Sequence, residues 1–242
     1  PTLEETGIAF SPSSESPLSR ERARQIVKKN FGDHVKTGHF PVIDTIAGVF
    51  AADEMIYPAW IEKEMLSAGL MSEDNPISIL DLLEMLRYCG RAQDMDLYTP
   101  DLKPVTRNNF DPAKTMMVIR KEVYKSIKAA MQRAMSLPGL LGIARMDYLE
   151  HAVPEDFAYI EHLIALLRQH PEVWHTTHEG VTYFMTGRDN TTINHLGKIR
   201  NVTDQVEVTE LAATLHNALF ARSTPKPGIY EYPPVDVIEA YL

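Results

Sequence analysis

The side chains best suited to one specific chemistry lie near the N-terminus, in the stretch SRERARQIVKKNF. Arginine can donate two hydrogen bonds to the edge of guanine, glutamine can pair in the same way with adenine, and glutamate can accept from the amino group of cytosine. Arg20, Gln25 and Glu21 supply one residue of each type. Their presence on one short stretch predicts a set of side chains that reads base edges in the major groove of DNA.

A helix must present these side chains together, and Ser19 is a good N-cap for it. At about 100° per residue, such a helix has two different faces. The face that can pack against the protein carries Ala23, Ile26, Val27 and Asn30, and the polar face carries Arg20, Glu21, Arg24, Gln25 and Lys28. An ordinary solvated surface helix with a mixed charged face would show the same pattern, so that alternative stays open.

Two strings around this helix, TLEETG and LSRERARQI, resemble the helix-turn-helix of region four of bacterial sigma factors. In that family the second helix enters the major groove of the promoter's upstream element. The resemblance implies that Arg20, Glu21 and Gln25 face base edges. It also implies contacts with the DNA backbone from Ser19, Arg22, Arg24 and Lys28. One departure from the family is the turn, because eleven residues separate Gly7 from Ser19, more than the usual turn of about 3–4 residues.

The rest of the chain repeats one order of elements, which predicts tandem units. The expected fold class is mainly α, with an N-terminal helix-turn-helix followed by tandem winged-helix-like three-helix units with small β-hairpins. The expected boundaries are 1–38 for the helix-turn-helix, 39–108 and 109–188 for two winged-helix-like units, and 189–242 for a truncated third. We also expect the chain to be part of a longer protein, since both ends read as cut.

The unit at 109–188 carries two marked features. A long helix is expected from Asp111-Pro112, and a β-hairpin is expected in VWHTTHEGVTYFM, with Gly180 in its turn. A secondary basic patch is predicted on one side of the long helix, formed by Arg120, Lys121, Lys125 and Lys128. This patch suits the phosphate backbone of DNA, although any exposed amphipathic helix could show the same spacing.

Composition restricts where nucleic acid could bind. The 242 residues are 44% hydrophobic and carry a net charge of -9, so a real core is expected and any DNA contact must be local. Cys89 is the only cysteine, and we expect it to act as a small buried hydrophobe. No apolar run approaches the roughly 18 residues of a membrane helix. A cytoplasmic protein with no membrane partner is therefore expected.

Neither catalytic nor metal chemistry is indicated by the sequence. It contains no GxxxxGK[ST], GxGxxG, HExxH or GxSxG motif. The histidines of HPEVWHTTH do not converge as zinc ligands must, because alternate pleating of a strand puts His175 and His178 on opposite faces. We expect no enzymatic activity, no metal and no cofactor.

The favoured interpretation is a non-enzymatic, sequence-specific double-stranded DNA-binding protein. By resemblance to sigma factors it would act in transcription initiation or its regulation, with RNA polymerase or another protein subunit as a candidate partner. The alternative is a non-catalytic interaction scaffold, or a DNA-targeting subunit of a larger bacterial defence or mobile-element complex. The acidic balance of the chain after residue 36 supports that alternative.

Overall fold

The computed structural model describes residues 38–74, 76–187, 191–202, 205–221 and 230–242, together with 19, 21–22, 25–26, 28–29, 32 and 36. The chain divides into two compact units. The first comprises Pro1–Asp96 and Thr106–Pro112, and the second comprises Leu97–Val105 and Ala113–Leu242. The chain therefore passes from the first unit to the second, returns briefly, and then remains in the second.

The first unit is built mainly from three ten-residue helices. Its elements in chain order are α1 (Pro41–Phe50), β1 (Met55–Ile56), α2 (Pro58–Ser67), α3 (Ile79–Tyr88) and the first half of β2 (Met95–Tyr98). Prolines begin α1 and α2, where a missing N–H costs no helical hydrogen bond. The hydroxyl of Ser78 caps α3 by accepting from the N–H of Asp81 at 3.1 Å. Cys89 is buried just after α3, as predicted.

The second unit takes the second half of β2 and, from Ala113, continues to the last residue. Its elements are β3 (Met117–Arg120), α4 (Lys121–Leu141), β4 (Ala144–Arg145), a 3-10 helix (Met146–Tyr148), α5 (Leu149–Ala152), α6 (Ile160–Gln169), β5 (Val173–His178), β6 (Val181–Thr186), α7 (Thr191–Arg200), α8 (Val208–Phe220) and α9 (Val235–Tyr241).

Strands β4, β6 and β5 form an antiparallel sheet in that order. Phe184 in the central strand is paired with Ala144 on one side and His175 on the other. The β5–β6 turn consists of Glu179 and Gly180, whose φ angles are 49° and 80°. Two consecutive positive φ values match the twist of a tight hairpin. The predicted hairpin with glycine in its turn is confirmed.

Gly142 allows the end of α4 to lie against the C-terminal helices. Its φ is 84°, and its N–H donates to the carbonyl of Pro138 at 2.8 Å. A Cβ at this position would overlap the hydroxyl of Thr192 and lie 3.0 Å from Leu219. Both the backbone conformation and the available space therefore require glycine. Beyond it lies a core cluster formed by Ile143, Tyr183, Met185, Ala212, Leu215, Leu219, Val237 and Ile238.

The predicted fold class, mainly α with small β-hairpins, is wrong. Among the described residues 52% are helical and 13% lie in strands, and the strands form two small three-stranded antiparallel sheets. The fold is therefore mixed α and β. The short strands β1 and β4 have two residues each, which is too few to show the alternation by which a strand is recognised.

The expected start of the long helix at Asp111-Pro112 is also wrong. Helix α4 begins at Lys121, and Met117–Arg120 form a strand instead. Met117, Val118 and Ile119 are all buried. A fully buried strand gives a continuous apolar run, and periodicity alone cannot distinguish such a run from a buried stretch of helix.

Candidate nucleic-acid interface

The N-terminal helical segment, defined here as the described helical residues between Glu21 and Lys36, begins at a side-chain cap. The hydroxyl of Ser19 accepts a hydrogen bond from the backbone N–H of Arg22 at 3.3 Å. This is the contact by which an N-cap residue satisfies a donor in the first turn. Every described residue from Glu21 to Lys36 is helical. The predicted Ser19 cap is confirmed.

The described polar residues of this segment are open to solvent. Ser19, Glu21, Arg22, Gln25 and Lys28 are all exposed, as are Lys29 and Lys36, whereas Ile26 is half-buried. This distribution matches an amphipathic helix that presents its polar side outward. Of the predicted contact residues, Arg20 and Arg24 lie outside the described residues, as does the whole TLEETG string.

Two of the predicted contact residues, Arg22 and Gln25, are joined by a hydrogen bond. Nη1 of Arg22 donates a hydrogen bond to Oε1 of Gln25 at 3.4 Å, between two exposed side chains three positions apart. Reading adenine requires the glutamine amide to use both its oxygen and its nitrogen. The bond to Arg22 therefore occupies part of the acceptor capacity of the Gln25 amide oxygen.

The end of this segment is held by Arg91. Nη1 of Arg91 donates to the carbonyl of Lys36 at 3.1 Å, and Nη2 donates to the carbonyl of Gly38 at 2.8 Å. The same guanidinium binds the carboxylate of Asp44 in α1, with Nε at 3.0 Å and Nη2 at 2.9 Å from Oδ1. Arg91 therefore fixes the exit of the segment relative to α1.

The electrostatics of this anchor are also visible at Asp44. Hydrogen bonding from Arg91 is the largest influence and lowers the pKa of the Asp44 carboxyl, against a smaller opposing effect of desolvation. The ring of His39 adds a contact, with Nδ1 at 2.9 Å from Oδ2 of Asp44. Sequence reasoning missed this cluster, because Arg91 and Asp44 are separated by 47 positions and neither belongs to a motif.

The predicted secondary basic patch lies in the second unit, and one of its four residues, Arg120, lies outside helix α4. Lys121, Lys125 and Lys128 are exposed on α4 and fall within about 60° of one another at 100° per residue. These three residues are called the lysine stripe below. Arg120 instead ends strand β3, is half-buried, and has its Nη1 3.8 Å from a carboxylate oxygen of Glu122.

Aromatic residues support one end of the lysine stripe. The ammonium of Lys128 lies 5.6 Å from the centre of the Tyr124 ring. Tyr124 stacks on Tyr98 with ring centres 4.5 Å apart, and its hydroxyl donates to the carbonyl of Leu102 at 3.2 Å. A cation above an aromatic face is attracted by the ring quadrupole. The stack therefore gives Lys128 a preferred position over the helix surface.

The histidines that could suggest a metal have separate surroundings. Nδ1 of His170 accepts from the backbone N–H of Glu172 at 3.1 Å, while His175 and His178 contact other groups. Within the described residues, no three side chains of His, Cys, Asp or Glu are grouped so that they could hold a metal ion. None of the helices in the same ranges combines the length and apolar character needed to cross a bilayer.

Charge and exposure thus give two candidate contact surfaces, one in each unit. The N-terminal helical segment carries groups that can both donate and accept hydrogen bonds. The lysine stripe carries ammonium groups, which only donate. Comparisons of the chain with protein-family models, with curated proteins and with solved structures gave no match.

Proposed function

We propose that the protein is a non-enzymatic double-stranded DNA-binding protein whose N-terminal helical segment reads base sequence. The observation that carries this proposal is the exposed Glu21, Gln25 and Lys28 on a helix capped by Ser19. Glutamine and glutamate can distinguish base edges, while lysine neutralises phosphate. The resemblance of LSRERARQI to sigma factor region four adds Arg20 to the base-reading set. Such a protein would act in transcription initiation or its regulation, in the cytoplasm.

The lysine stripe has a separate place in this proposal. Lysine is a flexible point charge and matches phosphate without distinguishing one base from another. We assign Lys121, Lys125 and Lys128 to non-specific contact with the DNA backbone. Each such contact releases counterions, so binding through the stripe must weaken as salt concentration rises.

Selection of duplexes from a random pool tests the proposal directly. The wild-type chain is expected to enrich one short motif, and an Arg20→Ala, Gln25→Ala double variant is expected to bind the pool without enriching it. A Gln132→Ala variant is the matched control, because Gln132 is an exposed glutamine on α4 outside the predicted reading set. Failure of the wild-type chain to enrich any motif at several salt concentrations would exclude base reading.

A second candidate function is a protein-interaction scaffold, and the outer face of α3 favours it. Met85 and Tyr88 are exposed there beside Asp81 and Glu84. Apolar groups at the centre with charged groups around them are typical of protein interfaces. Arg107 pairs with both carboxylates, so the chemistry fits a partner surface that offers mainly apolar side chains.

Purified RNA polymerase separates a role in transcription from an unrelated scaffold. Retention of polymerase by the wild-type chain would favour the transcription role, and its loss in a Met85→Ser, Tyr88→Ser variant that still binds DNA as before would assign the contact to α3. A wild-type chain that retains no polymerase would count against polymerase as the partner. The proposal of DNA binding would then be tested by the duplex selection alone.

A further inference from the structure

A cleft of about 450 Å³ opens at the end of the β5–β6 hairpin that is opposite its turn. Its walls come from the residues before and within β5, from the end of β6, and from Tyr241 of α9. The volume lies within the roughly 300–1,000 Å³ typical of small-ligand sites. This cleft belongs entirely to the second unit and shares no residue with the N-terminal helical segment or the lysine stripe.

Two aromatic rings form a corner of the cleft. The rings of Trp174 and Tyr241 have centres 5.2 Å apart and planes inclined at 77°. Both side chains line the cleft and are only partly buried. Two ring faces at nearly a right angle can both approach one small cation, and each face attracts positive charge through its quadrupole. Met185, paired with Trp174 across the hairpin, adds an apolar contact.

A carboxylate also lines the cleft, at Glu172. Its backbone is fixed, because its carbonyl accepts from the N–H of Gly187 at 3.1 Å, while its side chain is exposed. The negative charge of Glu172 also acts on the nearby Lys103, and it helps to raise the pKa of that lysine. The largest cause of the raised pKa of Lys103, however, is its hydrogen bond to Asp101. Nζ of Lys103 lies 2.6 Å from Asp101. The positive charge of Lys103 is therefore held mainly by Asp101.

The balance of apolar and charged groups selects among cations. A primary ammonium donates three hydrogen bonds, and it would lose water partners that rings and a thioether cannot replace. A methylated ammonium has a low demand for hydrogen bonds and a diffuse positive charge, so ring faces are a suitable environment. A neutral group of the same shape would gain nothing from Glu172.

We propose that this cleft binds a quaternary methylammonium group, as carried by a trimethylated lysine side chain or by choline. Trp174 and Tyr241 provide the ring faces, and Glu172 provides the opposite charge. The site is independent of DNA binding, so the protein could bind such a group whether or not the N-terminal helical segment reads sequence.

Titration of the full chain with tetramethylammonium tests the site. A Trp60→Phe background leaves Trp174 as the single indole, since the chain has two tryptophans, so its fluorescence and its indole N–H resonance report on the cleft alone. The decisive pair of ligands is choline and its neutral carbon analogue 3,3-dimethylbutanol. Choline is expected to bind at least about ten-fold more tightly, because only choline gains cation–π attraction. Equal affinities would overturn the proposal.

Substitutions separate the ring faces from the charge. Tyr241→Phe keeps a ring and should bind choline within about two-fold of the parent, whereas Tyr241→Leu should lose about ten-fold. Glu172→Lys, at an exposed position that should not impair folding, is expected to abolish measurable choline binding, and Glu172→Gln to weaken it. Unchanged choline affinity in both Glu172→Lys and Tyr241→Leu would exclude a cation site.

Two natural sources of the group are distinguished by a final pair of ligands. A peptide with trimethyllysine and free phosphocholine carry the same methylammonium, but phosphocholine also brings a negative phosphate towards Glu172. We expect the peptide to bind more tightly than phosphocholine. The difference between the two affinities should be smaller in the Glu172→Gln variant. Tighter binding of phosphocholine would assign the site to choline headgroups, and binding of neither ligand would overturn the proposal.

Discussion

The N-terminal helical segment and the lysine stripe of α4 both expose positive charge, but their hydrogen-bonding groups differ. The segment combines Glu21, Arg22, Gln25 and Lys28, so it has acceptors, donors and an amide with both. The stripe repeats a single residue type that only donates. Discrimination between bases requires a pattern of donors and acceptors, whereas attraction to phosphate requires only charge. The comparison predicts that specificity and overall affinity can be removed separately.

The largest expected effect is a loss of affinity without a loss of specificity. A Lys121→Gln, Lys125→Gln, Lys128→Gln variant should bind every duplex about 10²–10³-fold more weakly near 50 mM salt, and its salt slope should fall by roughly 0.9 per lysine. Fluorescence anisotropy over a salt series measures both quantities. Arg133→Gln is the control for loss of a positive charge outside the lysine stripe, because Arg133 is exposed elsewhere on α4, and it should weaken binding less than any one of the three lysine substitutions made alone. A change in the preferred motif would contradict the separation.

The second-largest expected effect is a loss of specificity without a large loss of affinity, in the N-terminal helical segment. Gln25→Ala should reduce discrimination at one base position by about 1–3 kcal/mol, because its bidentate contact is lost. Competition between single-base variants of the selected duplex measures this value. Equal reductions at all positions would show that Gln25 supports the helix rather than reading a base.

A smaller effect is expected at the anchor that follows the segment. Arg91→Ala removes the hydrogen bonds to the carbonyls of Lys36 and Gly38 and to Asp44, so amide exchange at residues 38–44 should accelerate about ten-fold or more. Hydrogen exchange followed by mass spectrometry provides the measurement. Arg107→Ala is the matched control, because Arg107 binds Asp81 and Glu84 instead. If the amides of residues 38–44 are equally protected from exchange in both variants, Arg91 does not anchor the segment.

A single backbone contact on the segment should have a modest and uniform effect. Lys28→Ala should flatten the salt slope by about 0.9 and keep the preferred motif. Lys29→Ala removes the same charge from the neighbouring exposed position, about 100° away around the helix, and should change the slope less. If the two variants have the same slope, the orientation of the helix towards DNA is not the one we propose.

The smallest expected effect is a dependence on pH at the anchor. Since Arg91 lowers the folded-state pKa of Asp44, the ionised carboxylate stabilises the fold fully above its ordinary value of about 3.8. That contribution is lost as the pH falls through the lower folded value. Thermal unfolding between pH 5 and pH 2 should therefore show a steeper decline in wild type than in Asp44→Asn. Parallel curves would mean that the Arg91–Asp44 pair adds no pH dependence.

Local features of this protein were predictable from sequence because short-range chemistry determines them. The Ser19 cap depends on a hydroxyl that accepts a hydrogen bond from the backbone N–H three residues later. The β5–β6 turn depends on Gly180 and the residue beside it. The exposure of Lys121, Lys125 and Lys128 also follows from helical spacing. In each case the partners lie within a few residues of one another.

Features that depend on distant partners were not predictable. Strands β1 and β4 exist through their pairing with other strands, and two residues carry no period of their own. The buried side chains of strand β3 fit both a helical and a strand pattern, so the sequence alone does not distinguish the two. Arg91 and Asp44 meet only after the first unit folds. The paired rings of Trp174 and Tyr241 likewise depend on α9 returning to β5.

If the N-terminal helical segment reads DNA as we propose, the hydrogen bond between Arg22 and Gln25 has a consequence for the search for a binding site. While this bond is intact, the segment would contact phosphates without engaging a base, and the protein would slide. At a matching site the bond would open, and both side chains would turn towards new partners. Sliding and arrest would then be two rotamer states of one pair of side chains, and removing Arg22 should lengthen pauses at incorrect sites.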